Sequence, residues 1–137
     1  MLLDTDHLTV LQTPDSTRRD RLVARLELAD DVVGTTVVNV EEQMRGWLAS
    51  IAKERLALRQ VRSYTRLAQL FAFFADYEIA SFDVPSATVF GTFSRIRIGT
   101  MDLKIAAIAI VHNSLLLTAN RRDFEQIPGL RFENWLE

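Results

Sequence analysis

No cysteine occurs in the 137 residues, which excludes disulfides, thiolate nucleophiles, zinc ribbons and iron–sulfur clusters. The two histidines, His7 and His112, are too few for a histidine-based zinc site. Glycine and proline are scarce as well, with five and three residues, about half their usual combined share of roughly 12%. So few turn formers argue against the many tight reversals of an all-β barrel or sandwich. No apolar run approaches the ~20 residues of a membrane span; the longest uncharged one is Ile105–Val111. Basic excess is also missing. With 16 Lys and Arg against 18 Asp and Glu the formal charge is −2, so any hold on nucleic acid must come from a local patch or a metal. Asp4 stands where a secretory leader would need positive charge followed by a long apolar stretch. The expectation is a cytoplasmic protein with no membrane association.

What is present reads as one domain, residues 1–137, with 48% hydrophobic and 25% charged residues, enough to bury a core without covalent staples. Short apolar runs at Leu2–Leu3, Thr35–Val40 and Ser114–Thr118 have the composition of buried parallel strands. Ile79–Phe82 is a weaker fourth candidate, and Arg131–Phe132 a short edge strand. Between them the spacing turns helical. Ser16 is placed to cap a helix carrying Leu22, Leu26 and Ala29 on one face. Val61, Tyr64, Leu67, Ala68, Phe71 and Phe74 step by three or four, which predicts an amphipathic helix over Leu56–Ala75, with Leu70 and Phe73 off its apolar face. Pro85 suits the first turn of a helix reaching about Arg95, with Asp83 near its cap. Leu103–Val111 is apolar on nearly every side except Lys104, as expected of a helix packed on a sheet centre. Strand and helix alternate, which predicts an α/β fold: three layers, α/β/α, around a mostly parallel sheet.

In such a fold ligands bind at the carboxyl ends of the strands, and that is where acids fall. Asp4 follows the first run, Glu42 opens the helix after the second, Asp123 follows the run ending at Thr118, and Asp102 begins the most apolar helix. Each alone has an ordinary reading, since acids at helix N-termini serve as caps and complement the helix dipole. Asp4 resists that reading, because a charge at the edge of a buried strand is costly without compensation. Four converging carboxylates repel unless a cation neutralises them, and an all-oxygen set without His or Cys favours Mg²⁺ or Mn²⁺. Such ions activate water and stabilise a leaving oxygen, the chemistry of phosphodiester hydrolysis.

The same segments resemble a known family. LLDTDHL is similar to the opening strand and first Asp (Asp4) of PIN-domain ribonucleases of the VapC type, the toxin half of type II toxin–antitoxin pairs. TTVVNVEEQMRGW resembles the family's next strand and helix, placing Glu42 and Gly46, and IGTMDLKIAAIAI its third motif, with Asp102. LLLTANRRDFEQIPGLRFENW resembles its C-terminal signature, with Thr118, Asn120, Asp123, Phe124 and Trp135 in register. The resemblance implies a compact PIN-like fold and a Mg²⁺ or Mn²⁺ site at Asp4, Glu42, Asp102 and Asp123. It further implies endonucleolytic cleavage of RNA, a homodimer, and a small VapB-like antitoxin as inhibitor. Some members carry Asp where Asn120 stands, so the fourth group is Asp123 alone or Asp123 with Asn120.

Around these acids several residues have two readings. Glu41 and Glu42 point about 100° apart on a helix, and the register favours Glu42. Asp6 either orients a ligand or makes a turn; Thr118 and Asn120 either orient a water or carboxylate or act as caps. Arg95, Arg97, Arg121 and Arg122 either contact an RNA backbone or form a solvated rim. His7 reads as a surface or loop histidine. Phe71, Phe73 and Phe74 read as packing residues; an exposed Phe73 would mark a dimer or antitoxin contact. Two competing functions stand beside the nuclease. One is a non-catalytic PIN-like module binding RNA or protein; the other is a phosphatase of the haloacid dehalogenase type, with Asp4 as nucleophile and Asp6 as acid.

Overall fold

The computed structural model describes residues 1–137. In chain order its elements are β1 (Leu2–Leu3), α1 (Thr5–Leu11), α2 (Thr17–Ala29), β2 (Gly34–Thr36), α3 (Val37–Lys53), α4 (Ala57–Phe74), β3 (Glu78–Ala80), α5 (Val84–Gly91), α6 (Thr100–Val111), β4 (Leu116–Leu117), α7 (Arg121–Phe124) and β5 (Phe132–Glu133). The strands form one sheet in the order β3-β2-β1-β4-β5, and every pairing is parallel. After β1 the chain builds outward through β2 and β3, then returns to the other side for β4 and β5. The order reverses between β1 and β4, and ligands of open parallel sheets bind outside the carboxyl ends at such a reversal.

Alternation along the two central strands divides the core. Leu2 and Leu116 point to one face, among Ile105, Ala106, Ile108, Phe124 and Ile127; Leu3 and Leu117 point to the other, among Leu8, Leu11, Leu22, Leu26, Leu70 and Phe74. Helices therefore cover both faces, with α6 the innermost: Ile105–Ala109 are fully buried. Gly34 is required where β2 meets β3, since a Cβ there would sit 2.6 Å from the Glu78 carbonyl oxygen.

Several boundaries differ from the sequence reading. The run Thr35–Val40 is strand only to Thr36, because the Thr36 hydroxyl accepts from the Asn39 amide at 3.1 Å and starts α3 at Val37. Helix α1 was not anticipated; Asp4 caps it by accepting from the Thr5 amide at 2.8 Å. The apolar face assigned to α4 is only partly its packed one: Phe74 is buried and Leu67 packs on the core, as does Leu70 from off that face. Val61, Tyr64 and Phe71 are exposed, while Ser63, Leu70 and Phe74 are buried. Both sides of α4 are apolar, so spacing alone does not say which packs. Phe73 is only partly exposed, stacked near Tyr77 at 4.9 Å between centroids. Ser16 and Asp83 do cap α2 and α5. No helix is long and apolar enough to cross a membrane.

Candidate active site

Asp4 leaves the end of β1 buried, and its position is fixed by the strands on either side. Its Oδ2 accepts from the Thr118 hydroxyl at 2.7 Å, just past the end of β4. Its Oδ1 accepts from the Thr5 amide at 2.8 Å and from Asn39 Nδ2 at 2.8 Å, one turn into α3. Burial raises the Asp4 pKa more than these hydrogen bonds lower it, and the charge of Asp6 adds to the rise.

Glu42 lies one turn beyond Asn39 on the same side of α3. Its Oε2 accepts from the Thr5 hydroxyl at 3.2 Å, whereas Oε1 is buried with no hydrogen-bond partner. Burial first, then the charges of Asp4, Asp102 and Glu41, hold its pKa up, against the Thr5 bond. Glu41 points elsewhere and pairs with Arg45 at 2.6 Å. Asp102 stands in the first turn of α6 and makes no cap hydrogen bond, so end-capping does not account for it. Its pKa is pushed up to about 6 by burial and by the charges of Asp4, Asp123 and Asp6. Asn120 lies between the last two acids, donating to Asp123 Oδ2 at 3.1 Å and, more weakly, to Asp102 Oδ2 at 3.4 Å. Its own amide donates to Thr118 Oγ1 at 3.0 Å. An open cleft of about 480 Å³, lined by Glu42, Arg45, Gly99, Thr100, Met101 and Asp102, runs to this cluster.

Residues 1–130 match the PIN domain. The chain belongs to the PIN domain family. Among curated relatives, Ribonuclease VapC1 of Rickettsia felis is 58% identical over 36 residues, 26% of this chain; the matched segment spans only 27% of that relative's length. Solved structures match at full length. VapBC2 from Rickettsia felis, bound to a DNA fragment from its promoter, has a TM-score of 0.72 at 25% identity, covering 98% of this chain and 97% of that one. DNA-bound VapBC from Salmonella typhimurium has a TM-score of 0.74 at 25% identity, covering 98% and 99%.

In this PIN domain the sequence-predicted acids Asp4, Glu42, Asp102 and Asp123 come together at the carboxyl ends of β1 and β4, with Thr118 and Asn120 between them. They do not close on one point: no three His, Asp or Glu side chains are arranged to enclose an ion. Arg121 and Arg122 lie exposed on α7, Arg95 and Arg97 exposed between α5 and α6. Asp6 is nearby but occupied. Its Oδ1 accepts from the amide and Nδ1 of His7, each at 2.7 Å, and its Oδ2 from the Ala119 amide at 2.8 Å. Although burial opposes it, these bonds lower the Asp6 pKa. A group held ionised and fully hydrogen-bonded is a poor proton donor, which counts against the phosphatase reading. His7 is not at the surface. It is fully buried, and its Nε2 accepts from the Trp135 amide at 3.2 Å, tying α1 to the segment after β5.

Asn39, Thr5 and Thr36 escaped the sequence reading. The signal for Asn39 was an amide inside the apolar stretch TTVVNV, three residues before Glu42. Its Oδ1 accepts from Thr36 Oγ1 at 2.7 Å, which aims Nδ2 at Asp4.

Proposed function

We propose that this chain is a metal-dependent endoribonuclease, the toxin of a toxin–antitoxin pair, working as one cytoplasmic domain that forms a homodimer and is inhibited by a VapB-like antitoxin. The observation that carries the reading is the cluster itself: four carboxylates at the sheet's reversal point, one with an unpartnered buried oxygen and one pushed up to about 6. Such a cluster is strained when ionised and relieved by a cation. The ribonuclease name and the VapBC structures of relatives agree with it.

The donor set fits Mg²⁺ or Mn²⁺. All its atoms are hard oxygens, and Mg²⁺ binds through one or two carboxylates plus waters and phosphates, so four acids need not close around one point. Asp4, Glu42, Asp102 and Asp123 are the residues that would hold it. When bound, such an ion lowers the pKa of water and stabilises charge on a leaving oxygen. The chain's own polar groups prepare for this. Asn39 and Thr5 occupy Asp4 Oδ1, leaving a lone pair of Oδ2 beside Thr118 for a ligand. Asn120 spaces Asp102 from Asp123, and Thr5 keeps Glu42 turned so that Oε1 faces inward. Arg95, Arg97, Arg121 and Arg122 would contact the RNA backbone around the acids.

The test is cleavage of single-stranded RNA by the purified chain with Mg²⁺ or Mn²⁺, an EDTA control, and Asp4→Asn. Metal-dependent cleavage lost in the folded variant is expected. Full turnover by Asp4→Asn, or cleavage indifferent to EDTA, would refute it.

A further inference from the structure

The acid cleft contains one cation. Arg45 lines it opposite Gly99 and Asp102, one turn beyond Glu42 on α3. We infer that Arg45 grips a backbone phosphate of the RNA as it enters the cleft, an inference that rests on the nuclease reading above.

A purely structural account of Arg45 is weak. Its guanidinium pairs with Glu41 at 2.6 Å across one helical turn, with its side chain 68% exposed; pairs so open to water contribute little to stability. The pair also uses only part of the group. Glu41 meets one nitrogen of the planar fork, and the guanidinium has five donors, so others remain free for a ligand in the cleft that Arg45 lines. Arginine matches phosphate geometry bidentately, which a lysine does not.

Gly46 points to the same occupant. It lies four residues after Glu42, on the same side of α3, inside a helix where glycine is unfavourable relative to alanine. A Cβ at Gly46 would meet no atom of the chain within 4 Å. No internal contact therefore requires glycine here, and its effect is to leave bare backbone beside Arg45. An incoming strand can lie close against α3 there. On the nuclease reading the ligand is a polyanion that Glu42 and Asp102 repel, and the one guanidinium lining the cleft offsets that repulsion where a phosphate passes.

The test compares wild type with Arg45→Ala, Arg45→Lys, Gly46→Gln and the exposed α2 control Arg21→Ala. Cleavage of a single-stranded oligoribonucleotide is measured in Mn²⁺, and its binding in EDTA over a range of salt. Arg45→Ala should raise KM about tenfold with kcat within about twofold, and flatten log K against log salt by roughly 0.7, one single-strand phosphate contact. Arg45→Lys should keep the slope and recover part of KM. Gly46→Gln should raise KM while melting no lower than wild type, since Gln suits a helix better than Gly; this separates obstruction from misfolding. KM and slope unchanged in Arg45→Ala, or equal losses in Arg21→Ala, would overturn the contact and leave the nuclease standing. An effect on self-association or protein-partner binding with RNA binding unchanged would overturn it likewise. Failure of the wild type to bind or cut RNA would overturn both.

Discussion

Replacing Asp102 by Asn should make the metal-free protein more stable, not less. The carboxyl is raised from 3.8 to about 6 by burial and by the charges of Asp4, Asp123 and Asp6. For a fully desolvated group that difference corresponds to about 3 kcal/mol. Asp102 is only partly buried, so screening reduces it to roughly 1 to 1.5 kcal/mol. The sign follows from proton counting. Between pH 3.8 and about 6 the folded state keeps a proton that the unfolded state has released, so stability falls as pH rises through that window and stays lower above it. Asn carries no charge, keeps nearly the same shape and escapes the penalty. At pH 8 in EDTA, Asp102→Asn should gain roughly 1 to 1.5 kcal/mol; for 137 residues at about 2.1 cal/mol/K of unfolding entropy each, Tm rises by roughly 3 to 5 °C. At pH 4 most of the gain should be gone. Added Mn²⁺ should then stabilise wild type more than the variant, by as much as about 2.7 kcal/mol at a free concentration of 100 Kd. Thermal melts followed by circular dichroism at both pH values, with and without Mn²⁺, measure all of this. A variant less stable than wild type at pH 8 in EDTA, with an unchanged Mn²⁺ response, would refute the repulsion argument and return Asp102 to the role of a helix-end charge worth about 0.3 to 1 kcal/mol.

Asn39→Ala should lower stability by about 1 to 3 kcal/mol, because it leaves Asp4 Oδ1 buried without one of its donors. Losing a bond to the ionised form also raises the Asp4 pKa further, so the acid limb of the pH–rate profile should move to higher pH; an unmoved limb in a folded variant would count against the positioning role. Asp123→Ala should reduce cleavage more than Asn120→Ala at every Mn²⁺ concentration, since a carboxylate binds hard cations better than an amide that can only orient its neighbours; equal or reversed losses would mean that Asn120 is the fourth group. Asp6→Asn should chiefly lower the melting temperature, through the Ala119 and His7 bonds, and a loss of kcat at full stability would contradict that.

Much of this was readable from the chain. The central strands β1 and β4 betray themselves as short apolar runs ended by polar residues, the outer β3 and β5 far less, and Asp4, Glu42, Asp102 and Asp123 stood out because a charge at the end of a buried strand or apolar helix is expensive. What escaped did so for physical reasons. Val37, Val38 and Val40 have β-branched side chains that favour strands, yet the Thr36 cap committed them to helix. On α4, apolar residues spread round more than one side, and only packing chose the seam through Leu67, Leu70 and Phe74, leaving Val61, Tyr64 and Phe71 outside. The depth of His7 and the reach of Asn39 depend on partners 128 and 35 residues away, which no local pattern records.

Those long reaches have a consequence in time. β1 pairs with β4 across more than a hundred residues, and Asp4 is satisfied by Thr118, 114 positions further on. A chain emerging in order of synthesis carries Asp4 early, but the hydroxyl that holds it, and the Asn120 and Asp123 groups beside Asp102, come last. Contacts of such sequence separation form slowly, because loop closure must precede them. The carboxylate cluster is therefore assembled only when the far segment docks beside the first strand. Until then the growing polypeptide carries the separate acids without the cluster they form in the folded chain.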